Sequence, residues 1–317
     1  MDTLVAVGWD KNDTMKKRKN EKPEANAVAK EPRSKRYEEA FKKQAVEHWL
    51  QSSKPCTQIA RELGVSYPTL KQWKRCYCGE AALERFGKPG CSRIKVVGTF
   101  HELATTPFAD GVNALCWPRV LAGDFGEVVK LLGAGEGITT LDDARLAGLP
   151  VSAAGRVAID ILLEDQRLLR ALDRDPVLNC IHGYPRDEEA GPVRTDVFSF
   201  HADSAPVEAD TWLCTYHGPA SEGLRNEEAQ RRVDIAETRA ELLQIFGGED
   251  DADFREWLSE NCYDLHYAAL PEARPFSFGL GHLWRIAVDW PGSAVPPCIH
   301  RAPDPAPGEP PRLLLIS

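Results

Sequence analysis

Two short patterns in the second half of the sequence contain residue types that bind metal ions. His201-Ala202-Asp203 stands at the end of a predicted strand, and residues two apart on a strand point to the same face. One imidazole and one carboxylate would therefore face the same ion. His300, on another short predicted strand, supplies a second imidazole. Two histidines and one carboxylate that leave positions open are typical of non-haem Fe(II) sites, so the sequence predicts a metal site at His201, Asp203 and His300.

Arg312 begins the last predicted strand and is a candidate for binding a co-substrate. A guanidinium group holds a carboxylate through two parallel hydrogen bonds. A structural alternative stays open, in which His201 and His300 form hydrogen bonds inside a barrel and Arg312 pairs with an acidic neighbour. A chain with eight histidines and 48 acidic residues contains about one His-x-Asp or His-x-Glu by chance. The prediction therefore depends on the strand context and on the order of the later residues.

The order His-x-Asp, a distant His and then an Arg resembles that of the 2-oxoglutarate and iron oxygenases of the double-stranded β-helix fold. The resemblance implies that His201, Asp203 and His300 bind Fe(II) and that Arg312 anchors 2-oxoglutarate. Tyr216, at the end of another predicted strand, is a further candidate for cofactor binding. No catalytic residue is assigned beyond the metal site.

Residues from about 110 to 317 are also similar to a bacterial family of unknown function. The matching segments are Asn113 to Arg119, Phe200 to Asp203, Cys214 to Pro219, Ile299 to Pro303 and Arg312 to Leu315. That family has no assigned activity. After Gly218-Pro219 it tends to continue Gly-Thr-x-Trp, whereas this chain continues Ala220-Ser221-Glu222-Gly223.

A different chemistry is predicted near the N-terminus. The segment from Gln58 to Ser66 has the pattern of a helix-turn-helix: the small Ala60 lets two helices approach, and Gly64 makes the turn between them. Val65 and Leu70 fill the space between the helices. Ser66 caps a third helix, whose outward side chains would meet base edges and phosphates. The candidate DNA-binding residues are Ser66, Tyr67, Thr69, Lys71, Gln72, Lys74 and Arg75.

The segment from Ser34 to Tyr77 resembles the helix-turn-helix module of insertion-sequence transposase accessory proteins. The resemblance is carried by Tyr37 to Lys42, Ala60 to Ser66 and Leu70 to Trp73. It implies binding to double-stranded DNA at the ends of a mobile element, or to a similar site reused in regulation. The alternative is a three-helix packing unit with no role in DNA binding.

The two parts of the chain differ in charge. The first 95 residues contain 21 Lys or Arg and 12 Asp or Glu, although the whole chain has a net charge of -9. A basic front is typical of nucleic-acid binding, and an acidic body indicates a different partner. We predict a disordered basic tail over 1–34, a helix-turn-helix module over 35–77, a linker over 78–93 and a body over 94–317.

The predicted fold class is α+β: a small all-helical module followed by a double-stranded β-helix (cupin-like) barrel with flanking helices. The sequence has no run of 18 apolar residues and no export signal, and its nine cysteines are widely spread. These features predict a cytoplasmic protein with reduced thiols and no membrane partner. The predicted function is DNA binding joined to an Fe(II)/2-oxoglutarate oxygenase-like domain of unknown substrate. Two alternatives remain: a non-catalytic transposon-derived regulator with a structural body, and an accidental fusion of unrelated halves.

Overall fold

The computed structural model describes residues 37–51, 56–77, 93–186, 191–306 and 308–317. The predicted tail over 1–34 lies outside these ranges, as does nearly all of the predicted linker over 78–93. Helices and strands both form in the described residues, in agreement with the α+β class. Among the described helices, none has the length and apolar character needed to cross a membrane.

The N-terminal module consists of three helices, α1 Glu39–Gln51, α2 Cys56–Glu62 and α3 Tyr67–Tyr77. They are short and depend on one shared apolar core, because isolated helices of this length are marginal in water. Phe41 meets the ring of Trp73 edge-on, with the ring centroids 6.0 Å apart. The almost fully buried side chains of this core are Ala45, Val46, Ile59, Ala60 and Leu70.

The turn between α2 and α3 has the predicted glycine and the predicted cap. Gly64 has a φ of 65°, in the left-handed region that side chains with a Cβ rarely adopt. The hydroxyl of Ser66 accepts a hydrogen bond from the backbone N–H of Thr69 at 3.1 Å. Val65 is buried beside Leu70. The turn, the cap and the packing predicted for the helix-turn-helix are therefore confirmed.

The described part of the body contains thirteen strands in two sheets. In chain order these strands are β1 Ile94–Val96, β2 Ala114–Trp117, β3 Ile138–Leu141, β4 Val177–Ile181, β5 Phe200–His201, β6 Asp210–His217, β7 Glu222–Leu224, β8 Ala229–Arg231, β9 His266–Ala269, β10 Phe276–Ser277, β11 Leu283–Ala287, β12 Ile299–Arg301 and β13 Arg312–Ile316. The first sheet has the order β1-β2-β11-β6-β13-β4-β3, and the second has the order β10-β7-β12-β5-β9-β8. Strands β1 and β2 are parallel, and the other paired strands are antiparallel.

Each sheet contributes one face to a shared apolar core, and we call these the inner faces. Trp284 of β11 stacks on Phe278 at a centroid distance of 4.5 Å. Leu314 of β13 and Cys298, just before β12, belong to the same core. Gly223 of β7 lies against Phe276, where an added Cβ would come within 2.3 Å of the ring.

The opposite face of the first sheet is covered by helices. They are α4 Phe100–Thr105, α5 Phe125–Leu132, α6 Asp143–Ala147 and α7 Ala153–Arg170. Side-chain oxygens of Thr99, Asp124, Asp142 and Ser152 cap their N-termini. The helices and this face of the first sheet form a second apolar core, which we call the outer core. Leu115, Leu162 and Leu313 are fully buried in it.

Two further helices, α8 Ala236–Phe246 and α9 Ala252–Glu260, lie between β8 and β9 in the chain and pack around Phe254. The charged sequence from Glu227 to Phe246 predicts one continuous helix. The prediction is wrong for the residues before Ala236, because the α-helix covers only Ala236–Phe246. Residues Ala229–Arg231 form β8 instead, because they pair with β9. Tertiary pairing overrides a local helix preference here.

A buried ion pair joins the first sheet to α7. Arg119, two residues after β2, donates two hydrogen bonds to the carboxylate of Asp165, at 2.6 and 2.7 Å. The hydroxyl of Tyr216 donates to the same carboxylate at 2.6 Å. The side chains of Arg119 and Asp165 are only 9% and 4% exposed. Removing the arginine would therefore leave a buried carboxylate without a cation and, among the described residues, with only the Tyr216 hydroxyl as a hydrogen-bond donor.

We expect Arg119→Gln to lower the free energy of unfolding by about 3–5 kcal/mol, because the buried carboxylate of Asp165 loses its cation. Urea denaturation followed by circular dichroism measures the change. Arg167→Gln is the matched control, because Arg167 lies on the exposed side of the same helix and pairs with Glu164 in water. Its unfolding midpoint should stay unchanged. Equal losses in the two variants would contradict a structural role for the buried pair.

Candidate functional site

The two predicted histidine ligands lie on adjacent strands. Strand β5 pairs with β12 in antiparallel register, which sets His201 directly opposite His300. Residues paired in this way share a face of the sheet, so the two imidazoles stand side by side with ring centroids 4.6 Å apart. Cys298, two residues before His300, lies in the shared core. The two imidazoles therefore belong to the inner face of the second sheet.

Asp203 completes the group. One of its carboxylate oxygens lies 3.9 Å from Nε2 of His201, and the other lies 3.8 Å from Nε2 of His300. One ligand atom from each of the three residues lies within 4.8 Å of the others. Small side-chain rotations would bring all three to the roughly 2.1 Å bonds that such donors form with a divalent metal. The predicted ligands are thus brought together.

Hydrogen bonds orient each ligand. Nδ1 of His201 lies 2.8 Å from the carbonyl oxygen of Ser199, and Nδ1 of His300 lies 3.3 Å from that of Cys298. A carbonyl only accepts, so each Nδ1 carries the proton and each Nε2 keeps its lone pair towards Asp203. The hydroxyl of Thr211 donates to the Asp203 carboxylate at 2.6 Å. These contacts fix the donors in the form that binds metal.

The protonation states point the same way. Burial and, to a lesser extent, the neighbouring His300 together lower the pKa of His201 to about 4, so the imidazole is neutral at pH 7. Burial acts to raise the pKa of Asp203, but His300, the Thr211 hydrogen bond and His201 outweigh it, and the pKa is lowered. A neutral imidazole and an ionised carboxylate are the ligand forms that metal binding requires. The donor set therefore fits a divalent cation.

The structure adds a third histidine to this row. His266 of β9 pairs with His201 on the other side of β5, and their ring centroids are 5.7 Å apart. It is 4% exposed and lies beside His201 on the same face of the sheet. No spacing in the sequence groups His266 with His201, because their strands are far apart in the chain and pair only in the fold.

Arg312 also belongs to an inner face. It lies two residues before Leu314 of the shared core and pairs with Ile181, another member of that core. Its guanidinium donates to the carbonyl oxygen of Pro219 at 2.8 Å and to the hydroxyls of Tyr184 and Ser221 at 3.0 and 2.8 Å. In the described part of the chain all its acceptors are neutral. The acidic partner expected in the structural alternative is therefore not found there.

A cavity of about 280 Å³ adjoins this arginine. Burial lowers the pKa of Arg312, and Tyr184 partly offsets that effect. Tyr184, Phe198 and Pro219 line the cavity, together with residues of the proline-rich segment before β13. His201, Asp203 and His300 are not among its lining residues. Tyr184 and Ser221 were missed in the sequence because both reach Arg312 across long chain separations.

Tyr216 does not join this group. It is 4% exposed and stacks on Phe125 of the outer core, with ring centroids 5.4 Å apart. Its hydroxyl is bonded to Asp165, as described above. Tyr216 therefore faces the helices and not the inner face, so its placement does not fit the predicted cofactor role.

Ser66 lies just before α3, and the other predicted DNA-binding residues lie on that helix. Ser66, Tyr67 and Lys71 are exposed, and Thr69 is half-buried. Nζ of Lys71 lies 6.0 Å from the centre of the Tyr67 ring, so a cation and an aromatic ring share one face of the helix. The side chains of Gln72, Lys74 and Arg75 lie outside the described residues.

Comparison with known proteins bears on the N-terminal part. Residues 32–89 match a protein family described as Transposase. This match includes all three helices of the module, which is therefore a transposase-type helix-turn-helix, and it supports DNA binding by the N-terminal part. No curated protein and no solved structure matches the chain.

We expect Lys71→Gln to weaken binding to duplex DNA of any sequence, because one phosphate contact is lost. The slope of log affinity against log salt concentration should fall by about one. Fluorescence anisotropy of a labelled duplex at several salt concentrations measures both quantities. Lys130→Gln, an exposed lysine on α5 of the body, is the control and should leave both unchanged. A Lys71→Gln protein with the wild-type slope would contradict the assignment.

Thr211→Val should weaken metal binding roughly 10- to 100-fold, because the Asp203 carboxylate loses the hydroxyl that orients it. Competition with a chromophoric chelator for Mn(II) gives the affinity. Thr140→Val is the matched control: its hydroxyl bonds Asn179 on the first sheet, outside the ligand group. If the two variants bind the metal equally well, Thr211 has no such role.

Proposed function

We propose that the body is an Fe(II)- and 2-oxoglutarate-dependent oxygenase-like domain joined to a transposase-type DNA-binding module. The observation that carries this proposal is the convergence of His201, Asp203 and His300, with both Nε2 atoms turned towards one carboxylate. Two imidazoles and a carboxylate on one side of an ion leave other coordination positions open for a co-substrate and oxygen. The substrate of the oxidation would be a small molecule or a protein.

The strand order supports a double-stranded β-helix for the body. From β4 to β7 each strand lies in the other sheet from the one before it, and the same alternation holds from β10 to β13. A chain that coils around a common axis as two antiparallel segments produces this alternation. The inner faces of such a barrel enclose the ligands, and Arg312 projects from the opposite sheet into the same core layer.

The chain's own residues would perform distinct tasks. His201, Asp203 and His300 would hold the iron, which supplies oxygen activation coupled to oxidation of 2-oxoglutarate. The carbonyls of Ser199 and Cys298 keep the imidazoles in the tautomer that binds metal. A protein-fixed ligand set of this kind needs little reorganisation when the ion arrives.

Arg312 fits the anionic end of 2-oxoglutarate. It is a buried cation with only neutral acceptors in the described part of the chain, and a carboxylate would supply the missing counter-charge. Tyr184 and Ser221 would present hydroxyl groups to the same carboxylate.

Protein purified without oxygen and then given Fe(II) should bind close to one iron per chain. His201→Ala should lose that iron, because only one imidazole and one carboxylate remain. His101→Ala, which removes an exposed histidine of α4, is the control and should keep it. The number of iron atoms bound per chain is measured after gel filtration has removed free iron. Wild-type protein without iron, or a His201→Ala protein with full iron, would overturn the proposal.

The Arg312→Gln variant tests co-substrate binding independently of metal binding. This variant should bind Mn(II) as the wild type does but lose most of its affinity for 2-oxoglutarate, measured by calorimetry on the metal-loaded protein. Unchanged 2-oxoglutarate binding would remove Arg312 from the proposal while leaving the metal site intact.

A further inference from the structure

The outer face of the second sheet has a cavity that the proposed function does not use. Its volume is about 320 Å³. Phe200, Arg301 and Tyr267 line it, and each is the direct sequence neighbour of one histidine in the inner row. Successive residues on a strand point to opposite faces, so the cavity and the metal ligands lie on opposite sides of the same strands.

Three arginines make this cavity basic within an acidic body. Arg194, Arg232 and Arg301 line it together with one acidic side chain, Asp304. Residues 96–317 contain 18 Lys or Arg and 36 Asp or Glu, so three arginines around one small cavity depart from the charge of their surroundings. A concentration of guanidinium groups is a common feature of sites that bind phosphate or carboxylate groups.

Arg232 is the residue that points to a ligand. In the described part of the chain its side chain makes no hydrogen bond or ion pair, and its Nε is buried without an acceptor. A buried donor without an acceptor costs free energy, and a charged one costs more. An anion bound in the cavity would supply the acceptor.

The other two arginines are held in place by carboxylates. Arg194 donates to Asp196 at 2.6 Å. Arg301 donates to Glu222 at 2.8 Å and lies over the Phe200 ring, 4.4 Å from its centre. These contacts fix the guanidinium groups before a ligand arrives, which reduces the entropy cost of binding.

We propose that this cavity binds a small phosphate monoester. The guanidinium groups of Arg232 and Arg194 and the hydroxyl of Tyr267 are hydrogen-bond donors that suit a doubly charged group with three outer oxygens. The rings of Phe200 and Tyr267 offer apolar surface to the organic part of the ester.

The size and the charge of the surroundings select a small ligand. A cavity of this volume falls at the lower end of the range for small-molecule sites. A nucleic-acid strand would be repelled by the acidic body, whereas one phosphate ester is small enough to meet only the local group of three arginines and one aspartate. Because the site lies on the outer face, it does not rest on the oxygenase proposal, and the two can fail separately.

Calorimetry of the full chain with adenosine monophosphate, ribose 5-phosphate, inorganic phosphate and acetate tests the proposal. Arg232→Gln should weaken binding of the phosphates roughly tenfold or more, because the ligand loses a charged hydrogen-bond donor of the protein. Arg232→Lys should fall in between, since it keeps the charge without the planar fork. Arg167→Gln, which alters an exposed arginine of α7, is the control and should bind as the wild type does.

Tighter binding of the nucleotide than of ribose 5-phosphate would support the site and identify a nucleoside phosphate as the ligand. Equal binding of the two would support it as a sugar-phosphate site. The proposal is overturned if the wild type binds no phosphate, if Arg232→Gln binds as tightly as the wild type while keeping its unfolding midpoint, or if acetate binds as well as phosphate.

Discussion

The pairing of β5 with β12 is the constraint on which both candidate sites of the body depend. Its register sets His201 opposite His300, and the side chains of a strand alternate between faces. A slip of one residue would send one imidazole to the outer face and bring Phe200 or Arg301 inwards. The same register that assembles the candidate metal ligands on one side therefore assembles the arginine cavity on the other.

Three buried or half-buried arginines of the body differ in how their charge is met. Arg119 has Asp165 as a bidentate partner, and this pair joins a sheet to a helix. Arg312 bonds only neutral oxygens among the described residues, and Arg232 bonds none there. Because an uncompensated charge is expensive to bury, the contrast separates a structural arginine from two arginines suited to anionic ligands.

Much of the candidate metal site was predictable from the sequence, because His201 and Asp203 are two residues apart at the end of a predicted strand. In the structure β5 ends at His201, and Asp203 lies just beyond it, still close to both imidazoles. The helix-turn-helix was predictable for a similar reason: Gly64, Ser66 and the apolar stripe act within about thirty residues. Which face of β6 points inwards was not predictable, because alternation alone does not say which face is the inner one. Tyr216 lies on the outer face. Two contacts of the candidate sites were also not predictable: Tyr184 with Arg312, and His266 with His201. Both join residues that are far apart in the chain, and no local sequence pattern reveals such contacts.

A crystal of the protein grown with Mn(II) and measured for anomalous scattering tests the central claim most directly. The account predicts one strong peak bonded at about 2.1–2.2 Å to Nε2 of His201, Nε2 of His300 and a carboxylate oxygen of Asp203. Crystals that contain Mn(II) elsewhere but show no peak between these three side chains would contradict it.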